Sequence, residues 1–311
     1  PLKPARKSLS PAATKALLRP LGKAWKNYVA AFPGDPEERQ PVHSVYGGAH
    51  LFKADTAKRL SDLSLKALRE YAPHASVLGS ALNLDPRLAE TIYDRVIRKL
   101  EREAVEDFRI DFEDGYGNRP DAEEDAHAAS AAEEVAKGHA GGTLPPFIGI
   151  RIKPLTAELA ARSLRTTDIF ISTLLARTKN HLPPGFVVTL PKIVAKEQVA
   201  ITAKALATIE KANRLKPGVL KMELMVETTQ SVLSPRGDVA LPEFIKAGGG
   251  RIRGAHMGTY DYTAGCNITA QYQSMTHPAC DFAKHVMQVA LAGTGVTISD
   301  GATNVMPVAP H

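Results

Sequence analysis

The chain has 311 residues, of which 44% are hydrophobic and 23% are charged, close to the average of globular proteins. This composition excludes a largely disordered chain, and the ordinary glycine and proline contents exclude a collagen-like repeat. The length allows two domains, or one α/β barrel of about 250 residues with extensions. Two cysteines, Cys266 and Cys280, form neither a disulfide framework nor a zinc-ligand pattern. We therefore predict a protein of a reducing compartment, the cytoplasm.

The net charge of +6 is concentrated at the start of the chain. The first 26 residues contain no acid, and without them the chain is close to neutral, which argues against a nucleic-acid partner. No apolar run approaches a membrane span or a signal-peptide core, so we expect no membrane partner. We interpret the basic segment as a solvated extension or an edge of the fold, with contact to an acidic partner or a membrane surface as the alternative. Its cations are Lys3, Arg6, Lys7, Lys15, Arg19, Lys23 and Lys26.

We interpret residues 1–40 as a basic N-terminal extension, which contains a cluster of turn formers at 32–36. Residues 41–311 are predicted to form one catalytic domain. In that domain, short apolar runs alternate with segments of helical periodicity. Strands are predicted at 42–46, 108–114, 147–151, 185–192, 220–227, within 251–261 and at 295–300. Helices are predicted at 53–71, 86–105, 121–137, 156–179, 196–213, 239–247 and 278–292.

The alternation of strands and helices indicates βαβ units and a parallel sheet. This number of units favours a (β/α)8 TIM barrel, whereas Gly47-Gly48-Ala49 matches a dinucleotide-binding turn poorly. The seventh strand ends about ten residues before the sequence does. We therefore expect the barrel to lack its last strand and helix in this chain, unless another element fills the eighth position.

Charged residues stand at the carboxyl ends of five predicted strands. In a barrel these positions face the active-site mouth, and charged side chains are seldom buried there unless they are paired. A single acid at a strand end is usually a helix cap or part of a loop ion pair, but five such ends together favour a site. The residues are Glu113 and Asp114, Arg151, Lys192, Glu227 and Asp261.

These residue types suit a divalent metal and an anionic substrate. Two carboxylates with several waters commonly hold Mg²⁺, and an arginine grips a carboxylate through two parallel hydrogen bonds. A metal that chelates a 2-oxo acid stabilises an enolate as a Lewis acid. The residues alone therefore suggest that a carbon–carbon bond is made or broken next to a keto acid.

An ordered series of short segments resembles the citrate lyase β-subunit-like proteins of the HpcH/HpaI aldolase superfamily. Each segment is a weak match, but they occur in the family's order between residues 42 and 301. Lys153 stands where the family has asparagine, and Tyr46-Gly47-Gly48 replaces a V-P-G-like turn, which indicates a divergent branch. The matching segments are Asp111-Phe112-Glu113-Asp114, Ile150-Arg151-Ile152-Lys153, Leu190-Pro191-Lys192, Val226-Glu227-Thr228, Gly258-Thr259-Tyr260-Asp261-Tyr262 and Ile298-Ser299-Asp300-Gly301.

The resemblance implies a Mg²⁺ (or Mn²⁺) dependent barrel that acts as a homo-oligomer, a trimer or hexamer. It implies Glu227 and Asp261 as metal ligands and Arg151 as the group that binds the substrate carboxylate. We assign catalytic roles to Arg151, Glu113, Asp114 and Lys192, and substrate contacts to Arg151, Thr259 and Tyr260. The function predicted is a carbon–carbon lyase or aldolase on a 2-oxo acid or a 3-hydroxyacyl-CoA-type substrate. The alternatives are an acyl-CoA thioester hydrolase or synthase at the same metal site, or a non-catalytic barrel scaffold.

Five further residues received weaker predictions. His43 is a candidate base, whereas His256 is expected to be a hydrogen-bonded core residue and His277 part of an exposed helix cap. Cys266 is expected to be a buried thiol rather than a nucleophile. Glu223 shares a strand face with Glu227, and we expect it to be an interior acid paired with Lys221 or Lys192.

Overall fold

The computed structural model describes residues 7–303 and contains one sheet of seven parallel strands. Each strand pairs with the next one along the chain, so the spatial order is the sequence order β1 to β7. All seven predicted strands are therefore present, and no eighth strand occurs within the described residues. The strands are β1 Ser44–Gly48, β2 Asp107–Asp111, β3 Phe147–Arg151, β4 Val187–Leu190, β5 Lys221–Val226, β6 Ile252–Met257 and β7 Thr297–Ser299.

The seven predicted helices are also present, and four further helices were not predicted. Helices α3, α8 and α10 have at most seven residues, too few to show a helical period. Helix α1 lies in the basic segment, where Pro20 and Gly22 obscured its pattern. The helices are α1 Pro11–Ala31, α2 Thr56–Tyr71, α3 Ala75–Ala81, α4 Pro86–Glu103, α5 Asp121–Gly141, α6 Ala160–Arg177, α7 Lys196–Ala212, α8 Thr229–Val232, α9 Leu241–Ala247, α10 Thr259–Gly265 and α11 Pro278–Leu291.

The sheet is an incomplete barrel with helices on its outer side. Strands β2 to β4 are almost wholly buried, as expected for parallel strands that are covered on both faces. Ile110, Ile150, Val188 and Leu224 have no exposed surface, and they belong to one continuous apolar core. Within residues 7–303, β1 and β7 do not pair with each other. The arrangement confirms a TIM-like α/β architecture, with seven of the eight barrel strands among residues 7–303.

Charged side chains fill part of the barrel interior. Arg109 is only 2% exposed, and it is paired with Asp107 and with Glu223, whose Oε2 lies 2.7 Å from Nη2. His256 Nε2 lies 2.9 Å from the same Glu223 oxygen, which confirms that His256 is a hydrogen-bonded core residue. Glu223 is the expected interior acid. Its predicted partners were wrong, because Lys221 bonds to the carbonyl of Gly250 and Arg109 on β2 takes their place.

The segment that follows α1 lies against the amino ends of the strands, opposite the mouth. The backbone N–H of Gly34 donates to the carbonyl of Gly293 at 2.9 Å, and Glu38 pairs with Arg253 at the start of β6. The domain boundary at residue 40 remains a prediction. No helix among residues 7–303 is long and apolar enough to cross a membrane.

Candidate active site

The barrel's carboxyl-end mouth gathers the charged residues that the sequence singled out. Glu113 and Asp114 follow β2, Arg151 is the last residue of β3, and Lys192 follows β4. Glu227 follows β5 directly, as predicted. Asp261 was wrongly placed at a strand end: β6 stops at Met257, and Asp261 is the third residue of α10. The helix begins there because Gly258 ends the strand and the polar Thr259-Tyr260-Asp261 run does not continue its apolar pattern.

Asp111, the last residue of β2, organises one side of the mouth. Its carboxylate accepts hydrogen bonds from Arg151 Nε at 2.7 Å and Nη2 at 2.6 Å, a bidentate pair. The same carboxylate accepts from the backbone N–H groups of Glu113 at 3.0 Å and Gly115 at 2.7 Å. Asp111 therefore fixes both the guanidinium of Arg151 and the turn that presents Glu113. Asp111 belongs to the Asp111-Phe112-Glu113-Asp114 segment, but its sequence position alone did not indicate this role.

Lys153 holds the same turn from its other side. Its buried ammonium donates to the carbonyl oxygens of Phe112 at 2.7 Å and Gly117 at 2.9 Å, and lies 3.3 Å from Glu124 Oε2. Lys153 thus joins the two ends of the segment that contains Glu113. The residue that departs from the family pattern is a clamp on the loop of the site.

Lys192 lies at the centre of the acidic side chains. Its ammonium contacts Glu113 and lies 3.0 Å from Asp114 and 3.4 Å from Asp261. Burial opposes its charge, but these carboxylates raise the pKa of Lys192 above its usual range. Its φ of +49° is in the left-handed region, which is uncommon for a residue with a side chain and is found at functional sites. This backbone conformation lets its N–H donate to Glu227 Oε1 at 2.7 Å.

Glu227 is nearly enclosed, with 2% of its surface exposed. A Cβ atom at Gly258 would lie 2.6 Å from its Oε2, so the glycine of the Gly258-Thr259 motif makes room for this carboxylate. Burial, and to a smaller extent Asp261, raises the pKa of Glu227, whereas Lys192 and Arg151 oppose the shift. The electrostatic interaction between Glu227 and Asp261 places both carboxylates in one charge cluster.

Glu113 is a carboxyl group of the mouth whose pKa is shifted close to neutral. Burial, together with a hydrogen bond to Asp114, raises the pKa of Glu113 to about 7. Burial works in the same direction on Asp114, but its hydrogen bonds to Glu113 and Lys192 lower its pKa instead. Glu113 Oε2 is buried without a hydrogen-bond partner and lies 3.2 Å from Arg151 Nη1. Two adjacent carboxyls are thus shifted in opposite directions, the pattern of a proton-transfer pair.

The two other predicted substrate contacts lie on α10. Thr259 is buried, and its hydroxyl has no hydrogen-bond partner among the described residues. Tyr260 is half-exposed, and its hydroxyl donates to the carbonyl of Ala302 at 3.4 Å. Both residues therefore lie beside Asp261 on the short helix, and their contact with substrate remains a prediction.

The histidine near the mouth is one that sequence reasoning missed. His50 lies in the turn after β1, close to Gly48 and the Gly115 carbonyl, with a buried Nδ1 that has no partner. His43 precedes β1 and accepts from the N–H of Glu106 at 3.5 Å, so it lies at the opposite end of the barrel. A base at the mouth is therefore not His43. The one signal in the sequence was that His50 closely follows a predicted strand and its Gly47-Gly48 pair, the end of a strand that faces the mouth.

The remaining weaker predictions concern the segment after α10. His277 is the N-cap of α11, and its Nδ1 accepts from the N–H of Ala279 at 3.1 Å, which confirms the cap. Cys266 is a free, partly buried thiol that packs against the core. Neither residue belongs to the charge cluster at the mouth.

The donor chemistry of the mouth fits a hard divalent cation. Five carboxylates meet only two cations there, Arg151 and Lys192. All of the anionic donors are oxygen atoms, the ligands that Mg²⁺ prefers. No three His, Cys, Asp or Glu side chains between residues 7 and 303 already converge as a metal-binding group. The carboxylates are Asp111, Glu113, Asp114, Glu227 and Asp261.

The fold is similar to that of α/β-barrel proteins solved as a malate synthase and a citrate lyase. A malate synthase from Haloferax volcanii, determined as a lead(II) complex, superposes with a TM-score of 0.56 at 14% identity, covering 86% of this chain and 64% of that one. Its magnesium/glyoxylate complex gives the same TM-score at 13% identity, covering 86% and 66%. A citrate lyase from Burkholderia xenovorans LB400 gives 0.54 at 16% identity, covering 90% and 69%. The chain thus spans just under two thirds of the first malate synthase.

The chain belongs to the family described as a domain of unknown function, DUF6986, whose profile matches residues 21–311. Comparison with curated protein sequences finds no match. At these identities, the likeness to solved structures establishes the fold. The barrel-like fold expected from the family resemblance is therefore confirmed, and membership of that superfamily and of any branch within it remains a prediction.

Proposed function

We propose that this protein is a divalent-metal-dependent carbon–carbon lyase or aldolase that acts on a 2-oxo acid or a 3-hydroxyacyl-CoA-type substrate. The observation that carries the proposal is the cluster of acidic and basic side chains at the mouth. Glu227 and Asp261 lie in one charge cluster with Arg151, Lys192 and the Glu113–Asp114 pair. An interior structural network has no need of that surplus of carboxylates.

Glu227 and Asp261 are the residues that would hold Mg²⁺ or Mn²⁺, and a bound ion supplies a Lewis acid for negative charge that develops beside a carbonyl. The Haloferax volcanii malate synthase, whose barrel is similar, was determined as a magnesium/glyoxylate complex. Its ligand is a 2-oxo acid, the class of substrate that a carboxylate-binding arginine beside a metal suits. This parallel supports the choice of ligand class for the present chain.

Arg151 binds the substrate carboxylate in this proposal, through a limited part of its guanidinium. The Nε and Nη2 edge is already engaged by Asp111, so Nη1 is the nitrogen that faces the acidic side chains of the mouth, 3.2 Å from Glu113 and 3.5 Å from Asp114. A substrate carboxylate would replace these acids as the partner of Nη1. Asp111 keeps the guanidinium in place while the exchange occurs.

Glu113 moves the proton in the proposed reaction. A carboxyl group with a pKa of about 7 is divided between its acid and its base form at neutral pH, which is the condition for general acid–base catalysis. Lys192 remains protonated and keeps Asp114 ionised beside it. The pair therefore offers one carboxyl that accepts a proton and one that stays charged.

The test is a panel of 2-oxo acids, 4-hydroxy-2-oxo acids and acyl-CoA esters, assayed with Mg²⁺, with Mn²⁺ and with EDTA. We expect products of carbon–carbon cleavage or condensation that require the metal, and we expect Glu227→Gln to abolish them. Glu243→Gln, which changes an exposed acid paired with Lys196 outside the charge cluster of the mouth, is the matched control and should retain them. Turnover that EDTA leaves unchanged contradicts the metal site. Release of free CoA without carbon–carbon chemistry assigns the site to thioester hydrolysis instead.

A further inference from the structure

Helix α1 presents an apolar stripe that no other residue between 7 and 303 covers. No residue of α1 is buried, and the six apolar side chains of the stripe are each 50–64% exposed. Their spacing places them on one side of the helix, and the rings of Trp25 and Tyr28 stack at 5.3 Å. The stripe consists of Leu17, Leu18, Leu21, Trp25, Tyr28 and Val29.

The sequence of α1 shows that the helix depends on packing. Pro20 removes a backbone donor from its interior, and Gly22 adds backbone freedom two residues later. Most of the stability of a helix in a protein comes from burial of its apolar face rather than from its intrinsic propensity. The cations of α1, including Lys15, Arg19 and Lys23, lie on the side opposite to the stripe. The helix is thus built with one face for a partner and one for solvent.

A second apolar surface lies on the outer side of α9 and α11. It forms an open groove of about 480 Å³ whose lining includes Val239, Pro242, Phe282, Val286 and Val289. Phe282, Val286 and Val289 follow one another at helical spacing along α11, and Val289 is 83% exposed. At about 1.5 Å per residue, α11 is roughly 21 Å long and α1 roughly 31 Å, so the helix is long enough to fill the groove.

The two surfaces start from the same place in the molecule. Phe32, which directly follows α1, lies 3.8 Å from the Cβ position of Gly293, two residues after α11. The Gly34 N–H donates to the Gly293 carbonyl, which anchors the segment between them. Yet α1 leaves this point without entering the groove beside it. A helix whose C-terminal end lies next to an apolar groove, and which does not occupy that groove, has the geometry of an element exchanged between copies of one chain.

We propose that the apolar stripe of α1 packs into the α9–α11 groove of a second copy of this chain, and that this exchange holds the protein in a homo-oligomer. A second copy covers both apolar surfaces at once, whereas a lipid surface would cover the stripe and leave the groove in water. Exposed apolar patches mark interaction sites, and here two of them occur on one chain, beside helices of sufficient length to pack together. The basic face of α1 remains in solvent, which agrees with its lack of acidic partners.

The first experiment measures the mass of the full chain by light scattering after size exclusion, over a range of concentrations. We expect a mass of two or more times the 33.4 kDa of one chain. Leu21→Glu on the stripe and Val289→Glu in the groove should each raise the dissociation constant at least about thirtyfold, as expected for a central interface residue. Lys23→Glu on the basic face is the matched control and should leave the mass unchanged. Circular dichroism verifies that each variant is folded. A monomeric wild type, or an oligomer insensitive to both charge insertions, overturns the proposal.

The second experiment tests the path of the exchange. In a Cys266→Ser background, one preparation carries Leu21→Cys and another carries Val286→Cys, and the two are mixed, allowed to exchange and treated with a short bismaleimide. A heterodimeric cross-link between the two preparations is expected. A third preparation carries Leu21→Cys and Val286→Cys in the same chain. If only this preparation forms a cross-link, and does so in a species of 33.4 kDa, α1 folds onto its own groove and the exchange is overturned. A monomer that binds vesicles of anionic phospholipid through the stripe overturns it in favour of a membrane partner.

Discussion

The barrel interior and the barrel mouth are both rich in charge, but they satisfy it in different ways. Inside, Arg109 is enclosed by Asp107 and Glu223, and His256 bonds to the second of these acids. At the mouth, five carboxylates share two cations, and a buried oxygen of Glu113 has no hydrogen-bond partner. The interior groups each have a hydrogen-bonded partner, whereas the mouth has a carboxylate oxygen without one among residues 7–303.

The difference follows from where each group lies along its strand. A charge in the middle of a buried strand cannot reach water, so it must be matched by an opposite charge and by hydrogen bonds. A charge at a strand end lies beside loops, where a ligand or solvent can complete its coordination. Charged residues on neighbouring strands therefore need not have the same role. Those of the interior stabilise the barrel, whereas we propose that those of the mouth bind a substrate and a metal.

The largest effect on stability should come from breaking the interior network. Arg109→Met leaves Asp107 and Glu223 buried without a cation, which should lower the free energy of unfolding by about 3–5 kcal/mol. Urea denaturation measures it, and Lys58→Met, which breaks an exposed pair with Asp62, is the control that should change little. An Arg109→Met protein with the stability of the wild type would show that the interior charges are as dispensable as surface ones.

The mouth should show the opposite response when Glu227 is changed. Glu227→Gln should remove Mg²⁺ binding in calorimetry and reduce metal-dependent turnover about a thousandfold, as should Asp261→Asn. Because burial raises the pKa of Glu227, the neutral glutamine should leave the metal-free protein at least as stable as the wild type. Unchanged Mg²⁺ affinity in both variants would contradict the assignment of a metal site to the mouth.

Arg151 is buried like the charges of the barrel interior, but its guanidinium faces the mouth. Arg151→Lys should lower kcat/KM about a hundredfold, since lysine cannot hold Asp111 through two hydrogen bonds and also meet a carboxylate. The melting temperature should fall as well. If the lysine variant melts earlier but retains the kcat/KM of the wild type, Arg151 is a structural residue only.

The smallest effect concerns acid pH and distinguishes the paired acid of the interior. Burial alone would raise the pKa of Glu223, but Arg109 and His256 hold it well below the ordinary value of 4.5. The stability that this lowered pKa contributes is present above pH 4.5 and is lost as the pH falls below it. The stability difference between wild type and Glu223→Gln should therefore shrink in acid. A difference that is constant from pH 7 to pH 3 would contradict the pairing.

The sequence by itself determined the order of the seven strands, the alternation with helices and the residues that stand at the strand ends. These features are local: a run such as Phe147 to Arg151 is apolar and ends in a charge whatever surrounds it. The family resemblance rested on the same local segments. Periodicity over fewer than eight residues carries little information, so α10 was missed and Asp261 was placed on a strand.

The tertiary structure alone decided which charges are partners. Asp111 meets Arg151 because β2 and β3 are parallel and in register at those two residues, 40 positions apart in the chain. Glu223 bonds to Arg109 across the interior, three strands away, rather than to a lysine nearby in sequence. The clamp of Lys153 and the approach of His50 to the mouth likewise depend on loops that only the curved sheet brings together. Sequence fixes the charge of a side chain, but strand register and curvature of the sheet select its partner.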